Sequence, residues 1–361
     1  MAGPRPAPRK HDGGGWYGVA SVTAEPFPLP SPMEAKLVDS QPEGAGWQIE
    51  PKWDGFRALA RRDGERIEIL SRSGKSLARY FPEIVALLAA TKARRFLLDG
   101  ELILPIDATL SFDALQQRLH PAASRIAKLS RETPAQYMLF DCLFLEGADL
   151  ALGPLSERRA ALEDFHAANG GSSLLLSPRS ADVAEAEAWL ARSGGALDGV
   201  VAKRLDEPYQ PGVRAMLKVK QRRTADCVVG GFRRVKDGRA IASLLLGLYD
   251  ESGLLNHVGF TSGIAADRRV ELAAKLEPLI APPGFTGKAP GGPSRWNDGK
   301  ASAWEPLKPW LVVEVVYDQV TGGRFRHGTR LLRWRPDKAP RQCGTDQLIH
   351  ELRPAGFAAI A

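Results

Sequence analysis

The stretch EPKWDGFR, Glu50 to Arg57, decides how this chain is read. It sets a lysine, Lys52, two residues before an aspartate and five before an arginine, at the end of a predicted strand. Trp47 and Ile49 alternate with polar neighbours before it, and Phe56, Ala58 and Ala60 alternate after it, the period of half-buried strands. An amine is a nucleophile only when unprotonated, and cationic neighbours and desolvation favour that form. Arg57 supplies one such cation close in sequence. A solvated Lys-Asp pair in a surface hairpin is the plainer alternative, and the residues downstream decide between the two.

Outward from this motif, residues 56 to 70 read as two strands joined by Asp63-Gly64, a strong hairpin signal. FPEIVALLAATKA (Phe81–Ala93) and SFDALQQRL (Ser111–Leu119) have helical spacing, the second with Ser111 as N-cap. RFLLDGELIL (Arg95–Leu104) and YMLFDCLFL (Tyr137–Leu145) are buried strand candidates. Asp99-Gly100 could turn a hairpin, but the apolar runs on both sides favour one continuous strand. Helices fit 154–168 and 181–193, followed by the strand LDGVVAK (Leu197–Lys203). PFPLPSPMEAKL (Pro26–Leu37) reads as an extended lead-in, because its prolines disfavour a helix. Residues 1–25, rich in Pro, Gly and Ala, read as a flexible tail. The pattern from 26 to 221 is that of an antiparallel α+β domain.

After Thr224 the character changes. DCVVGGFRRV, AIASLLLGLYD, LLNHVGFTSG and WLVVEVVYDQV read as strands, with turns at Asp237-Gly238 and near Ser252-Gly253. Five or so short strands with one helix at about 266–279 suit a small closed barrel over 222–361. Residues 281–300, rich in Pro and Gly, read as a long loop.

The bulk properties are permissive. A chain of 361 residues with 44% apolar and 25% charged residues can bury a core in each of two domains. The net charge of +7 points mildly to polyanionic partners. Cys142, Cys227 and Cys343 are far apart without CxxC spacing, which argues against a disulfide framework or zinc ribbon. Cys142 and Cys227 sit in apolar runs and read as core. There is no apolar run of membrane-spanning length and no secretory h-region. A reduced, cytoplasmic protein is expected.

Six further motifs follow in order: SRSGK (Ser71–Lys75), DGE (Asp99–Glu101), FD (Phe140-Asp141), DGVVAK (Asp198–Lys203), MLKVK (Met216–Lys220) and RFRHGTRLLRWRPDK (Arg324–Lys338). Singly, each has a commonplace reading: Lys218 and Lys220 a solvated strand face, Phe140 core, Asp198 a turn residue before glycine. Together and in this order they closely resemble the ATP-dependent DNA ligases of the covalent nucleotidyltransferase superfamily, above all the compact bacterial ligase C and the ligase module of ligase D. The resemblance covers about residues 30 to 340.

The resemblance implies a fold, a mechanism and a set of roles. The fold is an α+β nucleotidyltransferase (adenylation) domain with antiparallel sheets, followed by an all-β OB-fold barrel. Lys52 would attack the α-phosphate of ATP and become lysyl-AMP, the AMP would pass to a 5′-phosphate at a nick, and the 3′-hydroxyl would displace it. Glu50 falls where the family meets the adenine edge, and Phe140 where an aromatic stacks on the base, a contact worth about 1 to 3 kcal/mol. Arg57 and Arg72 match arginines that hold ribose and phosphates, Glu101 a carboxylate that contacts ribose and helps organise metal. Asp198 stands where most of the family has a metal-binding glutamate, one methylene longer, and is shared with the ligase C branch. Lys203, Lys218 and Lys220 match lysines that reach the phosphates; alternation puts the last two on one strand face.

The basic run packs six cations into fifteen residues. Arg326, Arg333, Arg335 and Lys338 match the motif that orients pyrophosphate when the barrel swings over ATP, with Asp337 fitting its Asp-Lys ending. His327, flanked by arginines, matches a structural or phosphate contact. Mg²⁺ or Mn²⁺ is the implied metal, and nicked double-stranded DNA the implied partner of a monomer, in repair and alongside a separate repair polymerase. The chain reads as a stand-alone core without an appended polymerase, nuclease or N-terminal DNA-clamping domain. RNA ligases and capping-type guanylyltransferases share the lysyl-nucleotide step, and a non-catalytic OB-barrel protein is the rival from charge and aromatics alone.

Overall fold

The computed structural model describes residues 27–348, apart from 28, 107–108, 192–196, 222, 236–237, 239 and 292–302. The expected tail at 1–25, Asp237 of one expected turn and residues 292–300 of the expected 281–300 loop lie outside the described residues.

Two sheets build the N-terminal region. The first has four strands in the order Ala35–Val38, Met216–Val219, Leu197–Arg204, Trp47–Trp53. The second runs Leu174–Leu176, Gln136–Leu145, Arg95–Ile103, Phe56–Asp63, Arg66–Ser71, with Ala148–Asp149 paired to Gln136–Leu145. The chain crosses between them within EPKWDGFR. Glu50 and Lys52 therefore belong to the first sheet and Arg57 to the second. Gly55 permits the crossing, since a Cβ there would sit 2.1 Å from the Leu102 carbonyl oxygen.

Alternation fixes what each face carries. Ile49, Trp53, Val200, Ala202 and Val219 turn to one side of the first sheet and pack with Ile103 and Met138 of the second and with Trp189 of the helix Val183–Ala191. Gln48, Glu50 and Lys52 must then turn to the other side. A second core joins the large sheet to the helices Pro82–Ala89, Phe112–Arg118 and Leu155–Asn169 through Phe81, Leu88, Leu115, Leu162 and Phe165. Ser111 caps its helix as expected, accepting from the Ala114 N–H at 3.2 Å.

Two features correct the sequence reading. The sheets are mixed rather than antiparallel: Ala35–Val38 runs parallel to Met216–Val219, and Leu174–Leu176 parallel to Gln136–Leu145. The proline-rich lead-in ends in that first edge strand, and pairing across most of the region's length leaves no hairpin to impose antiparallel order. The helix Ala123–Glu132 was not anticipated. Arg95–Ile103 is one continuous strand, and the Asp63-Gly64 hairpin forms with Gly64 at φ 63°.

Beyond residue 222, a third sheet runs Leu255–Thr261, Ile241–Tyr249, Arg223–Arg234, Val312–Tyr317, Arg330–Trp334, with Glu305–Pro306 paired to Arg223–Arg234. An isolated parallel bridge between Thr261 and Thr329 links the two outer strands. The expected helix at 266–279 divides into 3-10 turns around Arg269–Leu276, the last containing Pro278. Its core includes Val228, Phe232, Leu246, Val313 and Val315. Cys142, Cys227 and Cys343 are free and buried. No described helix is long and apolar enough to cross a membrane.

Candidate active site

The polar face of the first sheet and the end of the second enclose a cleft of about 970 Å³, lined among others by Lys52, Glu101, Phe140, Asp198, Lys203 and Lys218. That is the upper size range for a small-molecule site. Lys52 Nζ lies 2.7 Å from Asp198 Oδ2. A β-bulge creates this contact, because the pairing of Leu197–Arg204 with Trp47–Trp53 skips between Leu197 and Val200. Gly199 takes φ 113°, with no room for a Cβ against the Val219 carbonyl oxygen. The extra residue aims Asp198 at the lysine.

Asp198 also meets Lys220 Nζ at 3.0 Å. Burial raises the pKa of this carboxyl, but the Lys52 and Lys220 ammonium groups outweigh burial and hold it below the ordinary value. Lys220 is shifted the other way: burial opposes its charge, and Asp198 and Asp318 more than restore it. Lys218, on the same strand face, has no ion pair among the described residues. Burial first, then Lys52 and Lys220, push its pKa down. The Lys52 amine is held by Asp198. An ion-paired ammonium has no lone pair, so attack requires this contact to open.

The opposite end of the cleft is aromatic and tightly bonded. Glu50 Oε1 accepts from Lys203 Nζ at 2.8 Å and from Gln48 Nε2 at 2.7 Å. Lys203 and Glu50 are 4% and 3% exposed, so neither charge is met by water. Lys203 Nζ also sits 4.6 Å from the Phe140 ring centre, and Arg57 Cζ 5.4 Å from it. Phe140 is itself the bulged residue where Asp99 pairs with Asp141 and Gly100 with Leu139. Arg57 grips Asp99 through Nε (3.0 Å) and Nη2 (2.6 Å) and donates Nη1 to the Met33 carbonyl at 2.6 Å. Tyr209 donates its hydroxyl to Asp99 at 2.8 Å. Burial opposes the Arg57 charge, yet the fully buried Asp99 outweighs it and raises its pKa.

Glu101 stands directly across from Arg57 in the sheet register, yet no hydrogen bond or ion pair joins its carboxylate to a described residue. Burial, with Asp54 and Asp99 adding repulsion, pushes it up to about 8 despite Lys52 and Arg57. No described cluster of three or more His, Cys, Asp or Glu side chains could hold a metal by protein ligands alone. A divalent ion of the magnesium type commonly takes one or two carboxylates and completes its shell with water and substrate phosphates. Glu101 and Asp198, which line the same cleft, fit that mode. Arg72 lines the outer cleft, exposed and paired with Glu34 at 2.7 Å.

The basic run divides. Arg326 reaches back to the N-terminal region, donating Nη1 to both oxygens of Asp54 at 2.7 Å, with its guanidinium 3.4 Å from the Phe112 ring centre. Arg333, Arg335 and Lys338 do not line the cleft. Arg333 pairs with Glu314 at 2.6 Å, Arg335 with Asp226 at 2.8 Å and Asp337 at 2.9 Å, and Lys338 with Asp226 at 3.3 Å. The register sets this, because Arg333 lies opposite Glu314 on the neighbouring strand. His327 is exposed. Sequence reasoning missed Asp99, Tyr209 and Asp318. Asp54 was within the opening motif but its partner, 272 residues away, left no signal.

The description "ATP dependent DNA ligase domain" belongs to the family model that matches residues 32–220, and "ATP dependent DNA ligase C terminal region" to the one matching 237–338. DNA ligase C2 of Mycolicibacterium smegmatis is 46% identical over 338 residues, covering 89% of this chain and 95% of that protein. DNA ligase C of Mycobacterium tuberculosis is 45% identical over 343 residues, covering 90% and 95%. A solved Lig E DNA ligase shares the fold at a TM-score of 0.54 and 17% identity, over 85% of this chain and all of that one. Motif order, cleft and relatives agree along almost the whole described length, and the chain belongs to the ATP-dependent DNA ligase family.

Proposed function

We propose that this ligase seals nicks in duplex DNA through a lysyl-AMP formed on Lys52 and a DNA-adenylate. The observation that carries the reading is the Lys52 amine on the wall of the cleft, 2.7 Å from Asp198 and among Lys218, Lys220 and Glu101. The amine attacks the α-phosphorus of ATP; an N–P bond forms, the bond to the bridging oxygen breaks, and pyrophosphate leaves. Asp198 is the nearest acceptor for the proton that the ammonium must lose. Its depressed basicity makes it an orienting group, and the proton goes on to solvent. Lys218, short of a partner and below its ordinary pKa, is placed to meet phosphoryl oxygens, as is Lys220 once it leaves Asp198. Phe140, Lys203 and Glu50 would hold the base, and Arg57 and Arg72 the ribose and phosphates.

Glu101 and Asp198 would hold Mg²⁺ or Mn²⁺, which supplies charge neutralisation at the phosphates. Arg326 would act from the closed C-terminal region, and Arg333, Arg335 and Lys338 would join pyrophosphate only after leaving Glu314 and Asp226. The Thr261–Thr329 bridge, which ties the outer strands together, supports reading residues 222–361 as an OB barrel and 26–221 as the adenylation domain. The likeness to the end-joining DNA repair protein LigD of M. tuberculosis, 32% identical over 304 residues, 81% of this chain and 37% of that protein, supports a role in repair. A cytoplasmic monomer working beside a repair polymerase is the setting we propose. Incubation with α-labelled ATP and Mg²⁺ should leave an acid-labile, alkali-stable label on the protein. Equal labelling of Lys52→Ala would remove Lys52 from its role.

A further inference from the structure

Four side chains of alternating charge run from the nucleophile to the C-terminal region. Lys52 Nζ lies 2.7 Å from Asp198 Oδ2, which lies 3.0 Å from Lys220 Nζ, which lies 3.1 Å from Asp318 Oδ2. Three of them stand on the first sheet or directly follow its strands. Asp318 alone comes from beyond residue 222, one residue after the strand Val312–Tyr317.

Asp318 is built into a small rigid unit. Its Oδ1 accepts from the Gln319 N–H at 2.9 Å, and the Gln319 carbonyl accepts from the Arg326 N–H at 3.0 Å. Between them the hairpin Val320–Thr321/Arg324–Phe325 turns at Gly322-Gly323, both at positive φ, as a type I′ turn requires. One hairpin base thus delivers two contacts to the N-terminal region: Asp318 to Lys220 and Arg326 to Asp54. Arg326 and Asp54 do not touch the nucleophile's charge. Asp318 does, through Lys220 and Asp198.

We infer that Asp318 is a positioning residue that couples the covalent state of Lys52 to closure of the C-terminal region. The inference rests on Lys52 being the nucleophile. With Lys52 as an ammonium, the four side chains are formally neutral together, and each anion lies beside a cation. Adenylation changes this. Nζ gives up two protons to solvent, one to become nucleophilic and one on forming the phosphoramidate, and carries a phosphoryl group with one negative charge. The cluster then holds two negative charges in excess. Of the four, Lys220 is left as the single cation, shared by Asp198, Asp318 and the phosphoryl oxygens. It turns to the group that has just arrived, and Asp318 is repelled by the other two. The contact that held the C-terminal region against Lys220 is therefore lost when pyrophosphate has formed and DNA must enter.

The test uses the full chain with Asp318→Asn and Asp318→Glu. Single-turnover transfer from labelled ATP to Lys52 is measured beside sealing of a nick that already carries a 5′-adenylate. Small-angle scattering is recorded before and after adenylation. Asp318→Asn should slow labelling about fivefold, what a partly exposed ion pair is worth, and seal the preformed adenylate at the wild-type rate. Wild type should expand on adenylation, Asp318→Asn should already be expanded and change little, and Asp318→Glu should restore both behaviours. Wild-type labelling by Asp318→Asn, equal losses in both steps, or a wild-type scattering change in that variant would overturn the inference. A Lys52→Ala control separates the two failures, because persistent label there strikes the nucleophile assignment and its absence leaves only Asp318 in question.

Discussion

Replacing Glu101 by glutamine keeps the shape of the cleft wall and removes one titration. Burial holds this carboxyl at about 8, against an ordinary 4.5. Between those values the native state keeps a proton that the unfolded chain has released, so native stability falls as pH rises across the interval and the loss is complete above about 8. At about 1.4 kcal/mol per pH unit, the full displacement corresponds to roughly 5 kcal/mol, and relaxation towards Lys52 and Arg57 reduces this to about 2 kcal/mol. Urea unfolding of both proteins at pH 4 and pH 9 isolates the effect, because every other group titrates in both. Glu101→Gln should match wild type within about 0.5 kcal/mol at pH 4 and exceed it by about 2 kcal/mol at pH 9. It should also lose adenylation activity, since a neutral amide cannot offer the charge that Mg²⁺ and nucleotide would recruit. A stability difference that is the same at both pH values would refute the argument that burial keeps Glu101 protonated.

Lys203→Met should cost about 3 kcal/mol in the same unfolding assay, because Glu50 would keep a buried charge with only Gln48 to meet it; a loss under 1 kcal/mol would show Glu50 reaching water. Arg57→Lys cannot serve both oxygens of Asp99 and the Met33 carbonyl together, and should destabilise by about 2 kcal/mol while weakening ATP binding. Phe140→Leu should raise the KM for ATP about tenfold with kcat nearly unchanged, as loss of base stacking predicts; a fall in kcat alone would assign the ring to packing. Binding to nicked duplex should weaken at least tenfold between about 50 and 200 mM salt, and a flat profile would contradict backbone-phosphate recognition.

Local pattern carried much of the architecture. The Asp63-Gly64 hairpin, the capped helix after Ser111 and the continuous strand through Asp99-Gly100 follow from residues a few positions apart, and these are the signals that turn chemistry and alternation encode. Parallel edges were illegible for the converse reason. Ala35–Val38 finds its partner about 180 residues later, and nothing in a four-residue strand specifies which edge it will join or in which direction. The site divides along the same line. Lys52, Glu50, Lys203, Lys218 and Lys220 gather on one face because strand alternation puts them there once the strands pair. Asp198 reaches Lys52 only through a bulge. A bulge is the one place where alternation misleads, though Gly199 next to it was a visible cue.

Charge partners explain the remainder. A run of six basic residues looks uniform in sequence, but each cation is committed by the acid that the fold sets beside it. Glu314 and Asp226 hold Arg333, Arg335 and Lys338 to the C-terminal sheet, while Asp54 draws Arg326 across to the N-terminal region. Only the acids distinguish the four arginine and lysine positions, and those acids lie up to 272 residues away. In the closure proposed above, these carboxylates therefore compete with any arriving anion for the same cations. A polyanion, whether triphosphate or DNA, enters that competition on the side of release: it offers Arg333, Arg335 and Lys338 a denser negative charge than Glu314 and Asp226 present. Replacing Asp226 by asparagine should accordingly free Lys338, loosen Arg335, which keeps Asp337, and tighten binding of nicked DNA at low salt. It should also lower the stability of the C-terminal sheet, whose Arg335 would lose its shortest ion pair.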